Sequence, residues 1–124
     1  MLMNWTPILI VAGILIVFYL IKRAGQISPQ AAQAHLNNGA MVIDVRSRGE
    51  FNSGHLAKAI NIPLDEIQSA VPKRVKDKNQ VLLLHCASGT RSGIAMARLK
   101  GMGFANTFNL GSYGRAESIL NRQN

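Results

Sequence analysis

The residue types best suited to chemistry lie together at positions 85–92, where the chain reads His-Cys-Ala-Ser-Gly-Thr-Arg-Ser. Cys86 is the single cysteine, so an intramolecular disulfide is excluded and the usual Cys/His zinc sites lack their ligands. A lone cysteine is more often a buried, inert residue than a reactive one. Its place after a buried strand and before a predicted helix favours reactivity, because backbone N–H groups and the positive helix end stabilise a thiolate.

Two neighbours of Cys86 support this interpretation, and a third residue is assigned to the scaffold. Gly89 permits the tight turn that would wrap N–H groups around the sulfur. Arg91 adds a permanent charge and a guanidinium suited to an oxyanion. His85 adjoins Cys86 in sequence, but successive strand residues point to opposite faces, so we expect a structural, hydrogen-bonded histidine there.

Around this stretch, helical and strand signals alternate over the 100 residues from Gly25 to Asn124. A helix is expected from Ser28 to the Asn38-Gly39 pair, and a short one between Ser47, whose spacing to Glu50 is that of a capping box, and Gly54. Further helices are predicted at 64–71, 94–102 and 113–120, and strands at 41–45, 59–62, 80–85 and 107–110. Strands separated by helices of this length predict an α/β fold with a parallel sheet covered on both faces.

The N-terminus has a different character, because no charged side chain occurs before Lys22 and Arg23. As a helix, residues 1–21 would measure about 31 Å, just enough to cross a bilayer. A cleaved signal peptide would carry its positive charge before the apolar run, and a buried core helix is the other alternative. We predict an uncleaved transmembrane anchor over 1–23 and one globular domain over 24–124.

The charges that follow the apolar run predict the orientation of the chain. Lys22 and Arg23 should stay cytoplasmic by the positive-inside rule, which predicts a single-pass protein of the inner or plasma membrane with its domain in the cytoplasm. The whole chain carries 14 basic and 6 acidic side chains, a net charge of +8. Such a surface attracts small anions and anionic lipid. Nucleic acid is not an expected partner, because the densest basic cluster, within 73–78, has no interleaved aromatic residue.

Two stretches of the sequence resemble the rhodanese family, in particular its small single-domain members joined to a membrane anchor. The first is Val42-Ile43-Asp44-Val45-Arg46, followed by Glu50-Phe51, Gly54-His55-Leu56, Ala59 and Asn61-Ile62-Pro63; the second is the loop from Cys86 to Arg91 with Ser92. The resemblance implies a five-stranded parallel sheet flanked by helices, a catalytic Cys86, and structural roles for Asp44, Arg46 and His55. It also implies a substrate-binding loop made of Ala87, Ser88, Gly89, Thr90 and Arg91. Near the C-terminus, Gly111-Ser112-Tyr113-Gly114-Arg115 departs from many relatives and leaves the closing helix open.

Resemblance and local chemistry together predict a sulfurtransferase. The Cys86 thiolate would take sulfane sulfur from a small anionic donor such as thiosulfate and pass it, as a persulfide, to a thiol or cyanide acceptor, with no metal ion and no cofactor. Membrane lipid would be a further partner through residues 1–23. Two alternatives remain: a cysteine phosphatase or arsenate reductase on a similar scaffold, and a membrane-tethered persulfide-relay or binding module. Phosphatases of this type place five residues between cysteine and arginine, whereas four separate Cys86 from Arg91.

Overall fold

A computed structural model describes residues 2–122 of the chain, and the side chains of residues 22–24 lie outside that description. The helices are α1 (Thr6–Ala24), α2 (Pro29–Asn37), α3 (Arg48–Ser53), α4 (Ile67–Arg74), α5 (Thr90–Gly101) and α6 (Tyr113–Asn121). The strands are β1 (Met41–Asp44), β2 (Ala59–Asn61), β3 (Leu82–His85) and β4 (Thr107–Gly111), and a 3₁₀ turn (Leu64–Glu66) leads into α4.

The four strands form one parallel sheet in the order β2-β1-β3-β4, with apolar side chains packed on both faces. The two central strands are in register from Met41 opposite Leu82 to Asp44 opposite His85, so their carboxyl ends finish side by side. Every residue of β3 is buried. The predicted α/β architecture with a parallel sheet is confirmed, and the loop after β3 leaves the sheet at the edge where open α/β proteins bind ligands.

The number of strands differs from the expectation, because the described residues form four strands and not five. The free edge of β4 is approached by the segment before α2, where the Ile27 amide donates to the Asn109 carbonyl at 2.9 Å. The Ile27 carbonyl accepts instead from the Arg115 guanidinium. A ladder needs both groups of the edge residue, so this single backbone bond leaves no fifth strand there.

Local signals in the sequence explain where most helices begin and end. The Ser28 hydroxyl accepts from the Ala31 amide at 3.2 Å, and Ser47 and Glu50 form the predicted capping box. The closing helix α6 is present, because the Ser112 hydroxyl caps it by accepting from the Arg115 amide at 3.1 Å. Helix α5 begins at Thr90, four residues before the predicted start, so Arg91 lies in its first turn and not in a loop.

The N-terminal helix α1 presents apolar side chains that are more than half exposed from Ile8 to Ile21, apart from its small residues. Crossing a bilayer takes about 20 consecutive apolar residues. Among the described residues, no helix combines the length and the hydropathy for such a crossing, so the expected transmembrane helix is not supported. The side chains of Lys22 and Arg23, on which the predicted orientation depends, lie outside the described residues.

Candidate active site

The candidate site is the short turn from β3 to α5, which curls around the sulfur of Cys86. The Gly89 amide donates to Cys86 Sγ at 3.0 Å, and the Ser92 amide approaches the same sulfur at 3.5 Å. The Ser92 hydroxyl lies 3.4 Å from it. Cys86 has no exposed surface. The predicted ring of N–H donors around the cysteine is therefore present, and we call it the sulfur cradle, made of Cys86, Gly89 and Ser92.

Two opposing effects act on the Cys86 thiol. Burial is the largest single effect and by itself raises the pKa, because the charged thiolate loses its hydration. The hydrogen bonds from Ser92, Gly89 and the Ser88 amide together outweigh it, so the pKa of Cys86 lies below its ordinary value of 9.0. The site therefore favours the thiolate, which is the nucleophilic form.

Glycine is required at position 89 for two reasons. Its φ of +95° lies in the left-handed region, which L side chains rarely adopt. A Cβ at Gly89 would also come within 3.2 Å of the Gly111 Cα. The loop is held against the β4–α6 connection by the Cys86 amide on the Gly111 carbonyl and by the Tyr113 amide on the Ala87 carbonyl, each at 3.2 Å. The segment that contains Gly111 therefore fixes the position of the Cys86 loop through these two backbone hydrogen bonds.

A polar network that the sequence did not predict supports the cradle from β4. The Asn109 side chain accepts from the Ser92 hydroxyl at 2.7 Å and from the Gly111 amide at 2.8 Å, and it donates to the Gly89 carbonyl at 3.1 Å. A hydroxyl has one hydrogen to donate, and its shortest contact here is with Asn109. The Gly89 amide, at 3.0 Å, makes the shortest hydrogen bond to Cys86 Sγ.

Arg91 is held by a second unpredicted partner. Its Nη1 and Nη2 atoms pair with the two carboxylate oxygens of Glu50 at 2.6 and 3.0 Å. Glu50 also accepts from the Ser47 amide at 3.2 Å, which completes the capping box of α3. The Arg91 guanidinium, followed by the Ser47 amide, lowers the pKa of Glu50 to about 2. The capping-box spacing identifies Glu50 as a helix-capping residue. Its ion pair with Arg91 joins residues 41 positions apart, and no local sequence pattern predicts that pair.

The remaining loop residues surround the cradle on its solvent side. Ala87, Ser88 and Thr90 are exposed, whereas Gly89 is buried beneath them. The structure thus brings together all six of the predicted site residues, Cys86, Ala87, Ser88, Gly89, Thr90 and Arg91, in one turn of chain. Their roles in catalysis and substrate binding remain predictions.

Asp44 and His85 lie at the same edge of the sheet as the sulfur cradle but belong to a separate cluster of side chains. His85 is buried, its Nδ1 atom is 3.3 Å from the Cys86 carbonyl, and its Nε2 atom is 3.7 Å from Asp44 Oδ2. Burial lowers the pKa of His85 despite the nearby Asp44 carboxylate. The Arg46 Nη2 atom donates to Asp44 Oδ2 and to the Gly54 carbonyl, both at 2.8 Å. These contacts tie the end of β1 to the end of α3, as the expected structural roles require.

His55 lies apart from both clusters, stacked on Phe51 with a centroid separation of 3.8 Å. Its Nδ1 atom is 2.9 Å from the Phe51 carbonyl. In the part of the chain that the structure describes, no group of three or more His, Cys, Asp or Glu side chains is placed to hold a metal ion.

Sequence comparison places this architecture among known proteins. The rhodanese-like domain family matches residues 28–114, more than half of the chain. The thiosulfate sulfurtransferase PspE of Escherichia coli (strain K12) is 38% identical over 69 residues, which are 56% of this chain and 66% of PspE, just under two thirds of that relative. The thiosulfate sulfurtransferase GlpE of Ectopseudomonas mendocina (strain ymp) is 32% identical over 85 residues, 68% of this chain and 76% of GlpE.

Solved structures agree with the sequence comparison. A rhodanese from E. coli, solved with anions, superposes with a TM-score of 0.60 at 34% identity, covering 62% of this chain and 91% of that one. The human single-domain sulfurtransferase TSTD1 superposes with a TM-score of 0.65 at 25% identity, covering 81% and 98% of the two chains.

Proposed function

We propose that this chain, which belongs to the rhodanese-like domain family, is a sulfurtransferase that moves sulfane sulfur through a persulfide on Cys86. The donor is a small thiosulfate-like anion, and the acceptor is a thiol or cyanide. The observation that carries the proposal is the sulfur cradle, in which the Gly89 amide lies 3.0 Å from the sulfur of the single cysteine.

In the first half-reaction the Cys86 thiolate attacks the outer sulfur of thiosulfate. An S–S bond forms at Sγ, the bond between the two thiosulfate sulfurs breaks, and sulfite leaves with the electron pair. The charge on the enzyme's sulfur is unchanged, since a thiolate becomes a persulfide anion. Backbone amides that already point at the sulfur stabilise both forms without reorganising, and once Cys86 is a thiolate, which its lowered pKa favours, the attack needs no general base.

Substrate binding is assigned to Ala87, Ser88, Gly89, Thr90 and Arg91. The exposed residues of the loop supply the rim, and Arg91 supplies the positive charge that faces the sulfonate end of the donor. Glu50 holds that guanidinium by both of its outer nitrogens, which limits its movement when the donor enters. We therefore add Glu50 as a residue that positions Arg91.

A phosphatase would need a wider loop around the cysteine than a sulfurtransferase does. Phosphoryl transfer needs a ring wide enough for a tetrahedral phosphate, whereas a persulfide adds one sulfur atom to Sγ. Only four residues separate Cys86 from Arg91, and Ser92 fills the position where such phosphatases have arginine. Its amide and hydroxyl face the sulfur at 3.5 and 3.4 Å, which closes the ring tightly around Cys86. The geometry therefore supports sulfur transfer over phosphoryl transfer.

A paired assay tests this choice. The wild type should form thiocyanate from thiosulfate and cyanide and release negligible phosphate from an aryl phosphate, with Cys86→Ser as the blank in both assays. Phosphate release that depends on Cys86 and equals or exceeds thiocyanate formation would overturn the assignment in favour of the phosphatase. Arsenate reduction, followed as arsenite formation with the same Cys86→Ser blank, should also be negligible.

The proposal has a second part, that residues 1–23 anchor the enzyme in the inner or plasma membrane with residues 24–124 in the cytoplasm. It is supported by the uncharged run, by the Lys22-Arg23 pair that follows it, and by the exposed apolar side chains of α1. A reporter fused to the C-terminus should show a cytoplasmic and not an external location. The full chain should stay with the membrane fraction after an alkaline wash. Recovery in the soluble fraction would contradict the anchor without touching the sulfur chemistry.

A further inference from the structure

A cleft of about 320 Å³ opens beside the sulfur cradle and is not part of it. Its apolar wall is formed by Val45, Pro63 and Leu64, and its charged side chains are Asp65, Arg91 and Arg98. We call this space the Arg98 cleft. An apolar wall with a few charged groups is the usual make-up of a small-molecule site.

The cleft lies next to the nucleophile. Val45 follows β1 as Cys86 follows β3, the Val45 amide donates to the His85 carbonyl at 3.0 Å, and both side chains belong to the same buried cluster. Arg91 lines the cleft. The pKa of Arg91 is raised mainly by Glu50 and further by Cys86, so the Arg91 guanidinium also interacts with the Cys86 sulfur. The cleft and the cradle are therefore linked through Val45 and Arg91, and a molecule bound in the cleft lies beside the loop that carries Cys86.

The two arginines of the cleft differ in what they already bind. Arg91 is engaged by both carboxylate oxygens of Glu50. Arg98 is exposed and has no ion pair or hydrogen bond among the described residues. The two are seven positions apart on α5, so they share one face of the helix and lie about 10 Å apart along its axis. Arg98 is thus the cation available to a bound anion at the end of the cleft away from Cys86.

We propose that the Arg98 cleft binds the sulfur acceptor, and that this acceptor is a small organic thiol whose carboxylate pairs with Arg98. The inference rests on the proposed function, because it concerns the second half-reaction of the Cys86 persulfide. A carboxylate matches the planar guanidinium fork, and the methylene groups of the thiol match the wall of Val45, Pro63 and Leu64.

The transfer step balances with the groups named. The acceptor sulfur attacks the outer sulfur of the persulfide anion, a new S–S bond forms, and the bond between that sulfur and Cys86 Sγ breaks. The electron pair returns to Sγ as a thiolate, and the acceptor's thiol proton ends on the new organic persulfide. Asp65 and Glu50 add negative charge near the cleft, which favours an acceptor with one carboxylate over a dianion.

The test uses the full-length protein, loaded with thiosulfate, freed of excess donor and then mixed with three thiols of similar size: 3-mercaptopropionate, 2-mercaptoethanol and cysteamine. Arg98→Gln should slow sulfur transfer to 3-mercaptopropionate about tenfold, equivalent to about 1.4 kcal/mol. Transfer to 2-mercaptoethanol should change by less than twofold, and transfer to cysteamine should not fall. Arg98→Lys should recover part of the loss because it restores the charge without the fork.

Arg74→Gln is the matched control, since it removes one positive charge from the end of α4, outside the lining of the cleft. Arg74→Gln should leave the rates of sulfur transfer to all three thiols unchanged. Equal slowing of all three acceptors by Arg98→Gln, or no slowing of any, would overturn the acceptor assignment while leaving the persulfide mechanism intact. Slower loading by thiosulfate in Arg98→Gln would overturn it as well and make the cleft a donor site. Failure of the wild type to load sulfur would instead refute the proposed function itself.

Discussion

Cys86 and His85 are consecutive residues at the end of the most buried strand, yet their side chains serve opposite faces of the sheet. Cys86 packs with the cluster that holds Val45 and Leu99, and its sulfur is surrounded by N–H donors. His85 lies on the other side, with its ring 5.8 Å from the Tyr113 ring and its Nε2 atom near Asp44. Because side chains alternate along a strand, the Cys86 thiol and the scaffold cluster of His85 lie on opposite faces of the sheet, although the two residues are adjacent.

The two sides also treat charge differently. On the Cys86 side, hydrogen bonds outweigh burial and the pKa of the thiol falls, so the charged form is favoured. On the His85 side, burial outweighs Asp44 and the pKa of the imidazole falls, so the neutral form is favoured. Asp44 is already matched by Arg46, whose guanidinium pairs with it at 2.8 Å. Burial alone therefore does not mark a reactive group; the orientation of donors toward it does.

The largest expected effect is on the chemistry of the Cys86 side. Cys86→Ser should abolish thiocyanate formation from thiosulfate, because an alcohol at this position cannot form a persulfide. The melting temperature should change by only a few degrees, since the serine hydroxyl occupies nearly the same place in the core as the cysteine sulfur. Activity that survives this change would place the sulfur carrier somewhere other than the cradle.

The next largest effect is on the stability provided by the Asp44 side. Asp44→Asn leaves the buried Arg46 guanidinium without its counter-ion, which should lower the free energy of unfolding by about 3 to 5 kcal/mol. Urea unfolding followed by circular dichroism measures the loss. Sulfur loading per folded molecule should stay within twofold of the wild type. If the variant does not fold, the double substitution Asp44→Leu with Arg46→Leu should recover part of the stability. A fully stable Asp44→Asn protein would contradict the scaffold role.

Glu50→Gln tests the charge that holds Arg91 beside the cradle. Loss of the bidentate pair frees the guanidinium, and the rate of sulfur loading should fall about tenfold, since small misplacements of a binding group cost one to two orders of magnitude. Glu66→Gln is the control, because it breaks the exposed Arg48–Glu66 pair of similar length, at 2.7 Å. Equal rates for Glu50→Gln and the wild type would remove Glu50 from the site.

Ser92→Ala should have a smaller effect, of a few-fold, that depends on pH. Sulfur loading should rise with pH as Cys86 ionises, with its midpoint below the ordinary thiol pKa of 9.0 in the wild type. Removal of the hydroxyl should move that midpoint upward, because one of the groups that lower the pKa of Cys86 is lost. Ser69→Ala, an exposed hydroxyl on α4, is the control. A midpoint that does not move would assign all of the thiolate stabilisation to the backbone amides.

His85→Phe should have the smallest effect on catalysis, within twofold, because the ring faces away from the cradle. Its effect should show in the pH dependence of stability. His85 has a lowered pKa in the folded protein, so below its ordinary value of 6.5 the unfolded chain binds more protons and the wild type loses stability as pH falls. Chemical unfolding between pH 7 and 5 should show a smaller loss for His85→Phe. A large fall in sulfur loading would instead bring His85 into the reaction.

The sequence predicted the parts of this molecule that depend on near neighbours in the chain. The capping box of Ser47 and Glu50, the position of Cys86 between a buried strand and a helix, and the orientation of His85 away from the Cys86 face all follow from spacing or alternation. The predicted start of α5 at residue 94 is four residues too late, because Gly89 in the left-handed region allows the helix to begin at Thr90 without a side-chain cap.

The parts that were missed depend on contacts between distant segments. Asn109 reaches the cradle from β4, 20 positions after Gly89, and Glu50 reaches Arg91 across 41 positions. The fifth strand implied by resemblance is absent from the described residues, because Ile27 offers β4 a single backbone hydrogen bond. Neither periodicity nor motif spacing carries information about such pairings.

The most direct test of the central claim is the intact mass of the purified wild type before thiosulfate, after thiosulfate, and after subsequent cyanide. The mass should increase by one sulfur atom with thiosulfate and return to its starting value with cyanide, with thiocyanate formed in equal amount, and Cys86→Ser should show neither change. An unchanged mass in freshly reduced protein at excess thiosulfate would contradict the persulfide mechanism.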